Sequence, residues 1–427
     1  MLPKLCRRPG FHFIPLFGVI FLGNILPIHS AGAAESSIIG ALPGEQMAPA
    51  VSLGKSGGFV VWEDNSIEAT HKGWGIGVRQ LDANGSAVSS NQVANSLRLG
   101  DQTAPQVAAM EDGSGVIVWQ GSAKAGAENI YLRVASPAGK LLGTDITVNA
   151  DRKGPKSAPA VAVSGNQVMV VWQSFGQDGS QWGVYGQRFL TSPLRRLGSE
   201  FQVNQFSNFN QSMPAVAATP GGGFVVAWVS EQQRVRLPTL TMNQATLSSS
   251  GRVSVDIYAR IFGSDGAPAG DEFLVNGNDS LCAMPTIAVS AGGSFLVGWA
   301  GREAKGGQNG FDVYGRTFSA AGVASSDVAR INSYLPGAQY QPKVATDGTR
   351  YLVVWTSNDQ DGSKEGCYGR FVNADGTVSG DEIQLNTTTV SIQKNPAVAA
   401  SVGGQFLTIW TGFVRGTHFD LFANTLP

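Results

Sequence analysis

One pairing recurs seven times along this chain: a proline followed 13 or 14 residues later by a tryptophan. The prolines are Pro49, Pro105, Pro159, Pro214, Pro285, Pro342 and Pro396, and the tryptophans Trp62, Trp119, Trp172, Trp228, Trp299, Trp355 and Trp410. The repeating unit is roughly 55 residues, near the long end of propeller-blade repeats. One unit reads Pro214-Ala215-Val216-Ala217-Ala218, a Gly221-Gly222-Gly223 turn, then Phe224-Val225-Val226-Ala227-Trp228. After a long polar stretch come Asp256 to Phe262, an Asp265-Gly266 turn, and Asp271 to Asn276. These are four short β-type runs, strands A to D, separated by turn residues.

In strand B, Phe224, Val226 and Trp228 share one face and Val225 and Ala227 the other, because side chains alternate along a strand. A strand apolar on both faces must be covered on both, as when one blade is packed between two others. The tryptophan is then expected to fill the gap between blades, with its N–H needing a partner there. Strand D normally ends in asparagine nine or ten residues before the next proline: Asn95, Asn149, Asn204, Asn276, Asn332 and Asn386. The last unit has A, B and C (His418 to Asn424) but no D, and Ser37-Ile38-Ile39 precedes Pro49 at the same spacing. The pattern predicts an all-β, seven-bladed β-propeller of four-stranded blades, whose N-terminal strand pairs beside Phe419–Asn424 and closes the last blade.

Charged residues are only 14% of the chain and glycine supplies 55 positions, against about 25% charged in an ordinary domain. A net charge of −1 gives no electrostatic footprint for nucleic acid or an anionic membrane. Lys4, Arg7 and Arg8, an apolar run from Phe11 to about Ile28, and Ser30-Ala31-Gly32-Ala33-Ala34 have the layout of a secretory signal peptide. Residues 1–34 are read as that signal, cleaved after Ala33 or Ala34, and 35–427 as the propeller. No other segment is apolar enough to span a bilayer. The expectation is an exported monomer, periplasmic or extracellular, with no membrane span after cleavage. Cys282 and Cys367 fall in different blades, and no disulfide is predicted.

Functional residues should ride on the long, variable B–C loops, which share a face with the D–A loops. The longest runs from about Val229 to Val255. Trp74 and Trp182, the two tryptophans outside the repeat position, end B–C loops and could stack on sugar rings. His71 and His418 lie in the B–C loops of the first and last units, neighbours in a closed ring, and are candidates for ligand contact. Asn358-Asp359-Gln360-Asp361-Gly362 resembles part of a calcium loop, making Asp359 and Asp361 candidate ligands, although an Asp-Gly turn also explains it. Asp256, Tyr258 and Arg260 share a face of strand C, as do Asp312, Tyr314 and Arg316, while Arg79, Arg133 and Arg370 occupy the arginine position elsewhere. Such recurrence indicates a structural ion pair or packing role. No P-loop, nucleophile elbow or Cys/His zinc pattern is present, so no catalytic residue and no cofactor other than possible calcium is assigned.

Trp172 to Gly179, Val184-Tyr185-Gly186-Gln187-Arg188-Phe189 and Gly198 to Asn204 resemble repeats of secreted bacterial seven-bladed propeller proteins. Those repeats often occur in surface or adhesin-like proteins. The resemblance implies a propeller and export but no reaction. Symmetry, variable loops and the lack of a catalytic motif lead to the expectation of a non-enzymatic binding module, with a glycan or protein partner on the B–C face. A polysaccharide-acting propeller enzyme and a structural component of an envelope assembly are the rival readings.

Overall fold

The computed structural model describes residues 35–66, 73–97, 99–122, 128–234, 254–277, 280–303, 310–414 and 418–427. Every regular element among them is a β-strand. The strands form seven four-stranded antiparallel blades in the order A-B-C-D; blades 4 and 5 also share a single parallel pair, Val255 with Leu281. Blade 3 shows the unit at full length: A Lys156–Ser164, B Gln167–Phe175, C Trp182–Thr191 and D Leu194–Gln202. The A strands pack successively against one another, and that of blade 7 (Gln393–Ala400) packs against that of blade 1 (Gln46–Gly54). The A strands therefore form the inner wall of a closed ring.

Closure follows the expected route. Ser36–Ser37 pairs antiparallel with His418–Leu426, with Ser36 opposite Ala423 and Ser37 opposite Phe422. The Ile38 N–H continues the ladder to the Leu421 carbonyl at 3.3 Å. The latch begins one residue earlier than the spacing suggested.

Both faces of strand B are covered, as its composition requires. In blade 4 Phe224, Val226 and Trp228 pack with Met169 and Val171 of blade 3, while Val225 and Ala227 pack with Val297 and Trp299 of blade 5. All seven repeat indoles are completely buried, each contributing the large apolar surface that holds blades together. Trp62 spans the seam, packing with Ile38, Ile409 and Leu421. The expected N–H partner is present only in part. Trp62 donates to Asp64 and Trp119 to Gln102, both at 3.0 Å, while the indoles of Trp172, Trp228, Trp299 and Trp355 have no acceptor among the described residues.

The strand C arginines are not paired with the aspartates on their own face; they are clamps between blades. Arg79, Arg133, Arg260, Arg316 and Arg370 each donate Nη1 to a carbonyl at the end of the preceding blade's strand D, at 2.7–3.1 Å. Nε of each bonds a carbonyl of its own blade, in the C–D connection or near the start of strand D. In blade 3, Arg196 reaches across from strand D to the Val148 carbonyl, and in blade 7 the Asn424 amide reaches the Leu385 carbonyl. All seven interfaces carry this tie. A second tie runs beside it: Asp145, Glu200, Glu272 and Glu382 accept N–H groups of the turn that follows the preceding blade's asparagine. Glu35 does the same for blade 7, accepting from Thr387 N at 2.8 Å and Thr388 N at 3.2 Å.

The repeated proline marks a bulge. Strand A breaks register there in every blade, and the residue before proline has φ between 50° and 55°: Ala48, Ala104, Ala158, Met213, Met284, Gln341 and Asn395. A bulge leaves one residue unpaired in the ladder. In five blades its N–H is satisfied by the residue after the preceding blade's tryptophan: Thr411, Glu63, Gln120, Gln173 or Thr356.

The D strand of blade 7 is the only one not continuous in sequence with strand C of its own blade, so the ties onto it should matter most. Arg79→Ala removes the bond to the Ile38 carbonyl and should lower the unfolding free energy by roughly 1.5–3 kcal/mol, the worth of a hydrogen bond to a charged group. Arg370→Ala, at an interface without a seam, should cost less in the same urea titration. Equal losses would show that the seam is no weaker than the other interfaces.

Candidate functional site

The strand D asparagine organises one end of each blade, on the side of the B–C and D–A loops. Its Oδ1 accepts an N–H near the start of strand C: Ile76, Ile130, Val184, Ile257, Val313 or Cys367, at 2.7–2.9 Å. Its Nδ2 is then free to hold an acid or amide. In blades 2, 4 and 5 that group comes from strand C: Asn129 at 2.8 Å, Asp256 at 2.9 Å and Asp312 at 2.7 Å. Asp256 is completely buried and also bound by Arg234, with Nε at 2.8 Å.

Blade 6 fills the same place from the loop. Strand C carries Gly366 there, and a Cβ at that glycine would sit 2.8 Å from Asp361 Oδ2. Asp361 Oδ2 accepts from Asn386 at 3.2 Å, and Asp361 Oδ1 accepts the Ser363 N–H at 3.1 Å. In blade 3 Gly183 likewise leaves room for Asp178, whose Oδ1 accepts the Ser180 N–H at 3.0 Å, but its Oδ2 has no partner among the described residues, because Asn204 Nδ2 bonds the Phe206 carbonyl and Gln211 instead. The Gln-Asp-Gly loops thus have a structural use. Asp359 is exposed on the turn at φ 59°, its N–H bound to the Lys364 carbonyl. Among the described residues no group of three or more His, Cys, Asp or Glu side chains is placed to hold a metal ion.

Blade 7 departs from the pattern. Ile39 stands where the other six blades have asparagine, so Asp420, the counterpart of Asp256 and Asp312, has lost its amide partner. Asp420 is only 8% exposed, and its Oδ1 has no hydrogen-bond partner among the described residues. Burial raises its pKa, and the negative charge of nearby Asp64 raises it further. Asp64 replaces the serine or glycine found two residues after the other tryptophans. It is buried and accepts four hydrogen bonds, from Trp62 Nε1, Ser66 N, Ser66 Oγ and Gln46 Nε2. Glu63, its neighbour, is also raised, mainly by burial and also by Asp101, and partly offset by the Ala104 N–H that it accepts.

The sequence-selected residues divide between two places. His418 stands beside Asp420, largely exposed, with Nδ1 4.0 Å from Glu45 Oε1. Its φ of 107° is uncommon for a residue with a Cβ. Trp74 is half-buried across the seam in blade 1, its N–H bound to Asp101 at 2.9 Å. Trp182 lies in blade 3, edge-on to exposed Phe175 with ring centres 5.4 Å apart. His71 and most of the long Val229–Val255 loop lie outside the described residues. Asp64, Asp420, Glu45, Phe413 and Phe419 escaped the sequence reading. Setting blade 7 in register with the others would have found two of them: Phe419 takes the position of Trp74 and Trp182, and Asp420 that of Asp256 and Asp312. Phe419 is edge-on to Phe413 at 5.5 Å, with Lys394 Nζ 4.9 Å above its ring. A groove of about 380 Å³ between the blade 1 C–D turn and Asn424 carries none of these residues.

No family model matches the chain, and no curated protein matches it. Solved structures do. A hydrazine synthase structure from Kuenenia stuttgartiensis aligns with a TM-score of 0.52 at 10% identity, covering 90% of this chain and 98% of that one. A mutant alpha-L-arabinofuranosidase from Fusarium graminearum, in complex with an iminosugar inhibitor, aligns at 0.48 and 12% identity, covering 79% and 98%. A Trypanosoma rangeli sialidase aligns at 0.46 and 9% identity, covering 80% of this chain and 55% of that one. At such identities the likeness establishes the fold: an all-β propeller. It also corrects the expectation of a non-enzymatic binding module. That reading leaned on a symmetric scaffold without a catalytic motif, and the Kuenenia stuttgartiensis structure that aligns carries the name of an enzyme, hydrazine synthase.

The raised Asp420 carboxyl has a consequence for stability. An unfolded aspartate titrates at about 3.9, and the folded group titrates above that. Its contribution favours the folded state at low pH and is lost as pH rises through the folded pKa. Asp420→Asn should therefore raise the melting temperature at pH 7 relative to the parent and give a smaller gain at pH 3. A gain that does not shrink at low pH would mean that the carboxyl is not held protonated by its surroundings.

Proposed function

We propose that this protein is a glycan-acting propeller enzyme that hydrolyses glycosidic bonds at the junction of blades 7 and 1. One observation carries the reading: Asp420, a buried carboxyl whose Oδ1 has no partner among the described residues, raised by burial and by the charge of Asp64. A carboxylic acid that holds its proton more tightly because it is buried beside a second carboxyl group is the arrangement that glycosidic cleavage uses. Asp420 is the general acid, giving its proton to the leaving oxygen as the glycosidic C–O bond breaks. Asp64 keeps that proton in place through its charge. Glu45, partly exposed beside His418, is the second carboxylate and takes a proton from the water whose oxygen bonds to the anomeric carbon as the glycosidic bond breaks, and Trp74 and Phe419 flank the sugar with their apolar ring faces. The Trp182–Phe175 pair in blade 3 supplies a further stacking surface on the same face.

The reading is tested by reducing-sugar release from a panel of neutral and acidic polysaccharides. Asp420→Asn should lower kcat by about 100-fold or more, the usual worth of a general acid. Activity should also fall on the alkaline side as Asp420 loses its proton. Release of no sugar from any glycan, or full activity in Asp420→Asn, would overturn it.

Export belongs to the same proposal, supported by the signal-like residues 1–34 and the resemblance to secreted bacterial repeats. Cleavage after Ala34 would keep all the latch contacts made by Glu35 to Ile38. N-terminal sequencing of protein recovered from outside the cytoplasm should then begin at Glu35, with Ala34 as the near alternative.

A further inference from the structure

The inner wall of the ring holds a charge that the site above does not use. The A strands enclose the axis, and their bulges present two comparable positions per blade, the residues before and after the repeated proline. Thirteen of these fourteen positions are alanine, methionine, threonine, glutamine or asparagine; the other is Lys343. Lys343 is exposed although it lies in the middle of the innermost strand of blade 6, Gln339–Thr346. An exposed side chain on that strand, between blades that pack against both its faces, opens towards the axis. Surrounding protein desolvates the ammonium group and lowers its pKa. It makes no hydrogen bond or ion pair with any of the described residues. Lys156 shows the contrast: completely buried on strand A of blade 3, it is held by Asp151 at 2.9 Å and by backbone carbonyls.

The neighbours match an anion. The residues before the proline are alanine or methionine in blades 1 to 5 but Gln341 and Asn395 in blades 6 and 7. Gln341 Oε1 accepts from Thr356 Oγ1 at 3.4 Å, which leaves its amide N–H groups to donate. No carboxylate occupies any of the fourteen positions. An unpaired cation flanked by amide donors in a confined, partly desolvated space favours a carboxylate or a sulfate.

We propose that the central channel binds the anionic group of an acidic oligosaccharide on Lys343, with Gln341 and Asn395 as accompanying donors. The inference stands on channel geometry and is independent of hydrolysis at Asp420. The test is calorimetric titration with three oligosaccharides of equal length, one uronate, one sulfated and one neutral. Using the Asp420→Asn protein keeps them intact, so failure of the catalytic reading leaves this measurement unaffected. The uronate or the sulfated sugar should bind, the better of the two identifying the anion, and the neutral one should bind at least 10-fold more weakly. Lys343→Met, which keeps the length of the stem, should weaken anion binding at least 10-fold. A second readout needs no variant: Lys343 should react with an amine acylating reagent faster than surface lysines, and the bound anion should protect it. Binding that is unchanged in Lys343→Met, or that does not prefer an anion, or a lysine that no anion protects, would overturn the proposal.

Discussion

The ring depends on a clamp repeated at every interface: a side chain on strand C of one blade, or on strand D in blade 3, holding a carbonyl at the end of strand D of the blade before. Hydrophobic packing alone would let blades slide, because interleaved valines and alanines are non-directional in their attraction. The arginine fork fixes the distance and the register. Nη1 holds the neighbouring blade while Nε holds the arginine's own C–D connection, as in Arg79 with the Ile38 and Ser89 carbonyls. The acidic tie beside it, Glu200 on Ala150 or Glu272 on Gln205, anchors the adjoining turn. Both bind backbone, so the turn's own side chains remain free to vary. This explains how the asparagine position can be lost in blade 7 without loss of closure: Arg79 and Asn91 hold the carbonyls of Ile38 and Ile39 themselves.

Architecture was legible because the repeat encodes it directly. The tryptophan interval, the two-sided apolar strand B and the missing last strand each correspond to a structural fact. The arginine recurrence was visible too, but not its target, since an alternating pattern shows which residues share a face and not which carbonyl lies beyond it. The bulge was hidden for a different reason. A residue before proline normally favours an extended backbone, and nothing about Ala48 or Met213 as residue types signals φ above 50°. In five blades an acceptor on the neighbouring blade, such as Gln173 for Met213, helps to offset the strain of that conformation.

The candidate site was partly legible. His418 and Trp74 were found from composition, as rare residues in variable loops. Asp420 was not, because in sequence it looks like Asp256 and Asp312, which are structural. The difference lies in a partner some 380 residues away: Asn276 and Asn332 hold those aspartates, whereas the closing strand brings Ile39. A residue can keep its place in a repeat and change its chemistry when its neighbour changes.

That exchange also shows why the site should fall at the seam. Blades 4, 5 and 6 place an acid at the buried position, from strand C or its loop, and hold it with the asparagine amide, and each solution is inert for the same reason. An acid held by an asparagine amide and, in blade 4, by Arg234 as well has its charge stabilised and nothing to give. Blade 7 withdraws the amide, and blade 1 adds Asp64 across the interface, so the two changes act in the same direction on one proton. Either alone would be a modest perturbation. Desolvation without a second charge leaves a reluctant carboxylate; a second charge in the presence of an amide leaves a pair of bound anions. Both fall where two blades meet whose strands come from opposite ends of the chain, and there each side can depart from the repeat independently of the other.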